Sequence, residues 1–317
     1  MKSLERNPRV EFAKRFYRHR MASFGLGMVI LFLALAVLAP AISWLYGTAP
    51  DSQNVFNRYA SVGTTSTVVS SLAGPGASTV FHLLGTDELG RDVLMRLLYG
   101  TQVSIGIGLA VGLISAFLGI LIGALAGYYG GWVDSTLMRL TDSMLSLPII
   151  PVLIVLAALD FSKIESLSLI ITSENESVIK MVLILCLFSW MTVARLVRGK
   201  ILSVKQMDYV SAARGLGASN QRILFLHILP NTVGPLLVAV SLIIGQAILI
   251  EAGLSYLGLG VQPPTPSWGN MLFNAQEIIY ESPLLAFFPG LMIFLAVISF
   301  NFIGDGLQMA SNPKADQ

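Results

Sequence analysis

The sequence predicts an all-α polytopic membrane protein with six transmembrane helices, and three observations predict it. Of its 317 residues, 54% are hydrophobic and only 12% are charged, with a mean hydropathy of +0.73. A soluble domain carries about a quarter charged residues. Apolar runs of about 20 residues, the length that crosses a bilayer, recur along the chain. The Lys and Arg residues crowd onto alternate connections, the bias that orients membrane proteins.

Residues 1–21 read as a basic cytoplasmic tail and residues 22–46 as the first span. That apolar run is longer than the roughly 7–15 residues of a signal-peptide core, so it reads as an uncleaved span. Residues 47–99 form an external segment whose Ser/Thr/Gly-rich part, 61–78, reads as a flexible loop. The core, 100–310, holds five helices. The second span is placed at 102–127, inside an uncharged stretch from Leu97 to Val133. The third, 143–159, is flanked by Asp142 and Asp160, and an acidic external loop (160–177) follows. The fourth is the weakest: only 181–194 is uncharged, so Lys180 and Arg195 must snorkel to opposite interfaces. The fifth and sixth are read at 232–256 and 283–304, before a short cytoplasmic tail, 311–317.

With the N-terminus cytoplasmic, only Arg58, Arg91, Arg96, Lys163 and Lys180 of the 20 Lys and Arg residues fall outside. Both termini and residues 195–231 are therefore expected in the cytoplasm. The net charge of +2 gives no reason to expect nucleic acid. Cys186 is the single cysteine, which excludes an internal disulfide, and the three histidines are scattered without metal-ligand spacing. No G-x-x-x-x-G-K-[ST] loop exists to hold nucleotide phosphates, and no catalytic constellation is legible. No enzymatic chemistry is expected of the chain, and no metal or cofactor of its own.

The most informative stretch is 208–231, D-Y-V-S-A-A-R-G-L-G-A-S-N-Q-R-I-L-F-L-H-I-L-P-N. It reads as a polar, basic helix of about seven turns between two apolar spans, ended by Pro230 and Asn231. Its small residues, Ala212, Ala213, Gly215, Gly217, Ala218 and Ser219, leave a surface another protein can approach closely. The competing reading is a well-packed interfacial helix with no partner.

This stretch resembles the cytoplasmic "EAA" loop of ATP-binding-cassette importer permeases, roughly E-A-A, three residues, G, nine residues, I-x-L-P. The matching positions are Ser211, Ala212, Ala213, Gly217, Leu229 and Pro230, with Ser211 in place of the Glu and His227 in place of the Ile. The L-H-I-L-P-N run is similar to the R-H-I-L-P-N common in the peptide/nickel branch. Four further runs resemble that branch in order and spacing: G-T-D-E-L-G-R-D (85–92), G-Y-Y-G-G-W-V-D (127–134), E-A-G-L-S-Y-L-G-L-G-V-Q-P-P-T-P-S-W-G (251–269) and N-F-I-G-D-G-L (301–307). The resemblance covers roughly 84–313 and the basic first span, and is nearest to the second permease subunit of oligopeptide/dipeptide importers.

The resemblance implies a type I ABC importer permease fold with a cytoplasmic coupling helix. It implies that Asp208, Tyr209, Ser211, Ala212, Ala213, Gly215, Gly217, Ala218, Ser219 and Pro230 dock on an ATPase. It further implies a second homologous permease, two ATPase subunits carrying ATP and Mg, an external solute-binding protein, and a bacterial inner or plasma membrane location. Peptide is the expected cargo, with nickel, glutathione and oligosaccharide as alternatives. Readings from other classes are an ion-coupled carrier and a non-transporting scaffold. The first should show intramembrane acids or broken paired helices, and Glu251 is the one charge well inside a clear span.

Glu251 reads either as part of the pathway or gate or as a hydrogen-bonded structural group. Asp87, Arg91 and Asp92 read as an interfacial charge cluster, with contact to an external partner as the sharper reading; Asp87 and Arg91 can pair across one helical turn if helical. Gly119, Gly123 and Gly127 lie four apart on the second span, where small residues let helices pack closely within the subunit.

Overall fold

The computed structural model describes residues 8–69, 77–159 and 175–311. The acidic loop residues 160–174, with Asp160, Lys163, Glu165 and Glu174, lie outside the described residues, as do 1–7, 70–76 and 312–317.

The basic N-terminal region is not a free tail. Pro8–Arg18 (α1) is amphipathic, with Lys14, Arg15 and Arg18 on its polar side and Phe12 and Phe16 packed beside Ala22, Leu307 and Ala310. His19 ends it and caps the next helix by accepting from the Ala22 amide at 3.1 Å. Arg20–Tyr46 (α2) is the first span, closed by Gly47 in the left-handed region (φ 76°). The external segment expected to be a loop carries a β-hairpin. The β-branched run Thr64–Val69 (β1) pairs antiparallel with Ala77–His82 (β2), Ser66 opposite Val80. Val93–Tyr129 (α3), with 37 residues, is about 55 Å long and extends well beyond the hydrocarbon layer.

The third span departs most from expectation. Gly131–Leu145 (α4) and Ile149–Ala158 (α5) are two helices bent by 82° at Ser146–Pro148. Proline cannot donate to the preceding turn, and the residue before it is pushed out of the helical region. Glu176–Val204 (α6) is longer than its uncharged centre because Lys180 and Arg195 are both helical. The segment between the fourth and fifth spans follows as Asp208–Gly215 (α7), then a short helix Asn220–Arg222 (α8). A wide π turn (Ile223–Ile228) and a 3₁₀ turn (Leu229–Thr232) lead into Val233–Tyr256 (α9). After the one-turn helix Ala275–Ile278 (α10), Pro283–Ser311 (α11) closes the fold.

Close glycine contacts fix how the spans run. Gly119, Gly123 and Gly127 of α3 meet Val193, Ala194 and Ile201 of α6 in ascending order, so these helices are parallel. The chain between them must therefore recross the membrane. The α4–α5 pair carries that return: Asp134 and Asp142 of α4 meet Arg198 and Arg195 in the C-terminal half of α6. Ala157 and Ala158 at the end of α5 share a groove with Glu176 and Lys180 at the start of α6. The other close glycine contacts join antiparallel neighbours. Gly108 and Gly112 of α3 meet Ile248 and Ile244 of α9; Gly234 and Gly304 bring α9 and α11 together at Ser311 and Ser241; Gly25 and Gly306 do the same for α2 and α11 at Ser299 and Ala22. Six crossings follow. The described chain ends and α7 share one side, while the hairpin and the 257–282 connection share the other. Within this bundle α3 is central, with α6 and α9 packed on two of its faces.

Candidate functional site

The segment 208–231 is two helices joined by a tight turn, not one helix. Gly217 has φ +81°, so the chain reverses there at a conformation costly to any other residue. The Gly217 amide donates to the Arg214 carbonyl and the Ala218 amide to the Ala213 carbonyl, the paired bonds of a Schellman cap. Ser219 then caps α8, its Oγ accepting from the Arg222 amide at 3.4 Å. Pro230 does not stop the helix. Its ring and missing N–H are accommodated by the π and 3₁₀ turns, and the chain continues directly into α9.

Val210 is the anchor of α7, fully buried in one cluster with Ile223 and Ile228. The opposite face is open: Asp208, Tyr209, Ser211, Ala212, Arg214 and Gly215 are exposed, and Ala213 and Ala218 are half-buried. Ser211 sits on that face where a Glu was the expected residue. Leu216, in the turn itself, is 90% exposed. Sequence reasoning passed over Leu216; the signal was a leucine standing alone between two glycines in a polar stretch.

The platform is tied rigidly to the spans. Asn231 Nδ2 donates to the His227 carbonyl at 2.7 Å and to Tyr209 Oη at 3.2 Å, bridging α7 to the base of α9. Tyr128 Oη donates to Asn220 Oδ1 at 2.7 Å, and Lys205 Nζ donates to the Tyr128 carbonyl at 2.6 Å, bringing in the end of α3. Arg198 Nη2 meets Asp134 Oδ2 at 2.6 Å and Arg195 pairs with Asp142, which fixes α4 to α6.

On the opposite side, Asp87 and Arg91 do pair, at 2.7 Å, but in a turn rather than a helix. Asp87 Oδ1 accepts from the Leu89 and Arg91 amides, and Gly90 (φ +71°) lies against the Asn54 carbonyl where no Cβ fits. Asp92 is not part of that pair. Its Oδ1 caps α3 by accepting from the Met95 amide at 2.9 Å, and its Oδ2 accepts from His82 Nδ1 at 2.7 Å. His82 Nε2 in turn meets Ser66 Oγ at 2.6 Å. This Ser–His–Asp chain, invisible as scattered residues in the sequence, is buried and ties the hairpin to α3. Arg91 and Asp92 are both buried, so the surface they would offer an external partner is covered.

Glu251 is fully buried, with Ser104 Oγ donating to one carboxylate oxygen at 3.1 Å and Ser255 Oγ to the other at 2.8 Å. The same hydroxyls accept from the Trp268 and Val261 amides, and Trp268 Nε1 reaches the Leu97 carbonyl at 3.2 Å. Gly260 lies against Ser255 and Gly269 against Ala252 at distances that leave no room for a larger residue, and Gly100 packs tightly against Trp268. The motif from Glu251 to Gly269 is thus one knot pinning the 257–282 connection onto α3 and α9.

The chain is similar over residues 119–317 to the family described as binding-protein-dependent transport system inner membrane component. Over residues 7–61 it is similar to the N-terminal TM domain of oligopeptide transport permease C. It is 38% identical over 309 residues to the glutathione transport system permease protein GsiD of Pectobacterium atrosepticum, covering 98% of this chain and 92% of that one. It is 33% identical to the dipeptide transport system permease protein DppC of Alkalihalophilus pseudofirmus, over 97% and 90% of the two chains. Against GsiD of Escherichia coli the identity is 39%, over 98% and 91%. Among solved structures, an inward-facing MetNI methionine ABC transporter chain superposes with a TM-score of 0.54 at 18% identity, covering 69% of this chain and 96% of that one. That likeness concerns the fold.

Proposed function

Since the chain belongs to the family of binding-protein-dependent transport system inner membrane components, and so is the permease subunit of an ATP-driven importer, we propose that its cargo is short peptides and that α7 is its contact with an ATPase subunit. Glutathione and dipeptides, named for the relatives, are both peptides. The observation that carries the coupling assignment is the open face of α7 ending in exposed Leu216, while Val210 on its other face is buried against Ile223 and Ile228 of the turn that leads into α9. A platform that is exposed outward and rigidly attached inward transmits force.

In this reading α7, the described chain ends and the Arg-rich end of α6 face the cytoplasm, as the Lys and Arg distribution favours. A second, homologous permease completes the pathway, two ATPase subunits carry ATP and Mg, and an external binding protein delivers cargo near the hairpin and the 257–282 connection. ATP binding draws the ATPase subunits together and moves α7. Because Asn231 joins α7 to the base of α9, and Tyr128 ties the end of α3 to Asn220 just beyond the turn that ends α7, the spans tilt with it. Glu251 holds the external connection in place so that this tilt is transmitted to the outer side.

The test is Ala212→Trp in the complex captured on a tagged chain. Tryptophan on the exposed face leaves the chain in the membrane but abolishes uptake of labelled trialanine and the stimulation of ATP hydrolysis by loaded binding protein. Wild-type uptake in that variant would remove α7 from the coupling contact.

A further inference from the structure

Many polar side chains inside the spans are paired among the described residues, although Ser115 Oγ of α3 is buried without a partner. Gln102 donates to the Ala36 carbonyl, Ser189 and Ser299 bond back to carbonyls one turn earlier, and Ser104 and Ser255 serve Glu251. Gln246 is also unpaired among the described residues but, unlike Ser115, it is exposed. It lies near the middle of the 24-residue α9, about 15 Å from the Tyr256 end, too deep for its short side chain to reach either interface. It is exposed and has no hydrogen-bond partner among the described residues. A primary amide facing hydrocarbon is strongly disfavoured because no water or protein group satisfies it there.

Gln246 opens onto a groove of about 700 Å³ between α6, α9 and α11. Thr192 of α6 lies in the same lining, also exposed and without a partner among the described residues, and Leu242 and Ile243 form the apolar walls. The one charged residue of the lining, Lys200, sits toward the α7 end of the groove, four residues before α6 ends. The mid-membrane part is therefore neutral, with an amide that both donates and accepts and a hydroxyl that does the same. Those are the complements of a peptide group, and they are indifferent to the charge of a cargo side chain.

We infer that this groove is a water-lined wall of the transport pathway and that Gln246 is its mid-membrane contact for the peptide groups of the cargo. The inference rests on the importer reading and extends it to named residues. The groove is open on one side in the single chain, and a facing permease closes it against lipid.

The experiment uses the full complex carrying Gln246→Cys in a Cys186→Ala background, probed with 2-sulfonatoethyl methanethiosulfonate. Val37→Cys, on the exposed face of α2, is the lipid-facing control. The reagent attacks only the thiolate, which forms in water and not in hydrocarbon, so the cysteine at 246 should react at least about tenfold faster than the one at 37. Equal, slow reaction at both positions overturns the water-lined wall. In a second arm, Gln246→Leu should lower trialanine uptake about tenfold or more, in a complex that still captures its ATPase subunits; uptake at the wild-type rate overturns the cargo contact. A wild-type chain that captures no ATPase sinks the importer reading as well, whereas an assembled, ATP-hydrolysing complex with an unreactive cysteine at 246 sinks this inference alone.

Discussion

Asp92 performs two tasks with two oxygens, capping α3 and holding His82 beneath the hairpin. Asp92→Ala should lose about 0.5–2 kcal/mol from the cap and about 1–3 kcal/mol more from leaving His82 buried without its acceptor. Thermal unfolding in detergent should show a lower midpoint, with the hairpin becoming sensitive to protease first; an unchanged midpoint would refute the tether. Glu251 offers a sharper contrast. Glu251→Gln keeps one acceptor for its serine partners, whereas Glu251→Leu strands the hydroxyls of Ser104 and Ser255 in a fully buried site. The yield of folded protein should fall clearly more for leucine than for glutamine, and equal yields would show that the carboxylate does not organise the knot. Gly217 was legible as a small docking residue, but its positive φ makes it a turn residue first. A bulky side chain there mixes backbone strain with steric blockade, which is why Ala212 is the cleaner site to test coupling.

At the scale of elements, the glycine stripe of α3 shows how far a spacing argument reaches. The four-residue spacing foretold close packing within the subunit, and the structure supplies the partner, α6, and its parallel direction. A Cβ at Gly123 would lie 2.5 Å from the Ala194 carbonyl oxygen, a backbone atom that cannot rotate away, while one at Gly106 meets nothing within 4 Å. Gly123→Ala should destabilise by about 1–3 kcal/mol through overpacking. Gly106→Ala should be neutral or stabilising by up to about 1 kcal/mol, the difference in helix propensity. Comparing the two thermal midpoints checks the seam, and the reverse order would exclude it. The helix ends were less legible than the helices. The fourth span reads in the sequence as needing Lys180 and Arg195 at its two interfaces, and both lie inside a longer helix, Arg195 beside Asp142. In the sequence Pro230 reads as a stop and the third span reads straight through Pro148, yet the first sits where a helix widens and continues and the second accompanies an 82° bend. Proline removes a donor at both sites, and the tertiary neighbours decide how the chain absorbs that loss.

For the whole molecule, the crossing directions predict that Leu216 and Phe56 lie on opposite sides of the membrane; both are strongly exposed. In intact cells an impermeant thiol reagent should label Phe56→Cys, and should label Leu216→Cys only after permeabilisation; labelling of both from outside would contradict the six crossings or the orientation. The sequence alone determined the solvent, the number of crossings, the bias of positive charge and the family, because these depend on composition, run length and motifs that are local along the chain. It singled out 208–231 as the candidate ATPase contact for the same reason. It could not show that Ser66, His82 and Asp92 meet, that Glu251 serves serines 147 residues before it and four after it, or that Gln246 stands unpaired in a groove while Gln102 is paired. Each of those depends on which helix faces are turned toward one another. Only the tertiary packing, set by where glycines permit backbones to touch, decides that.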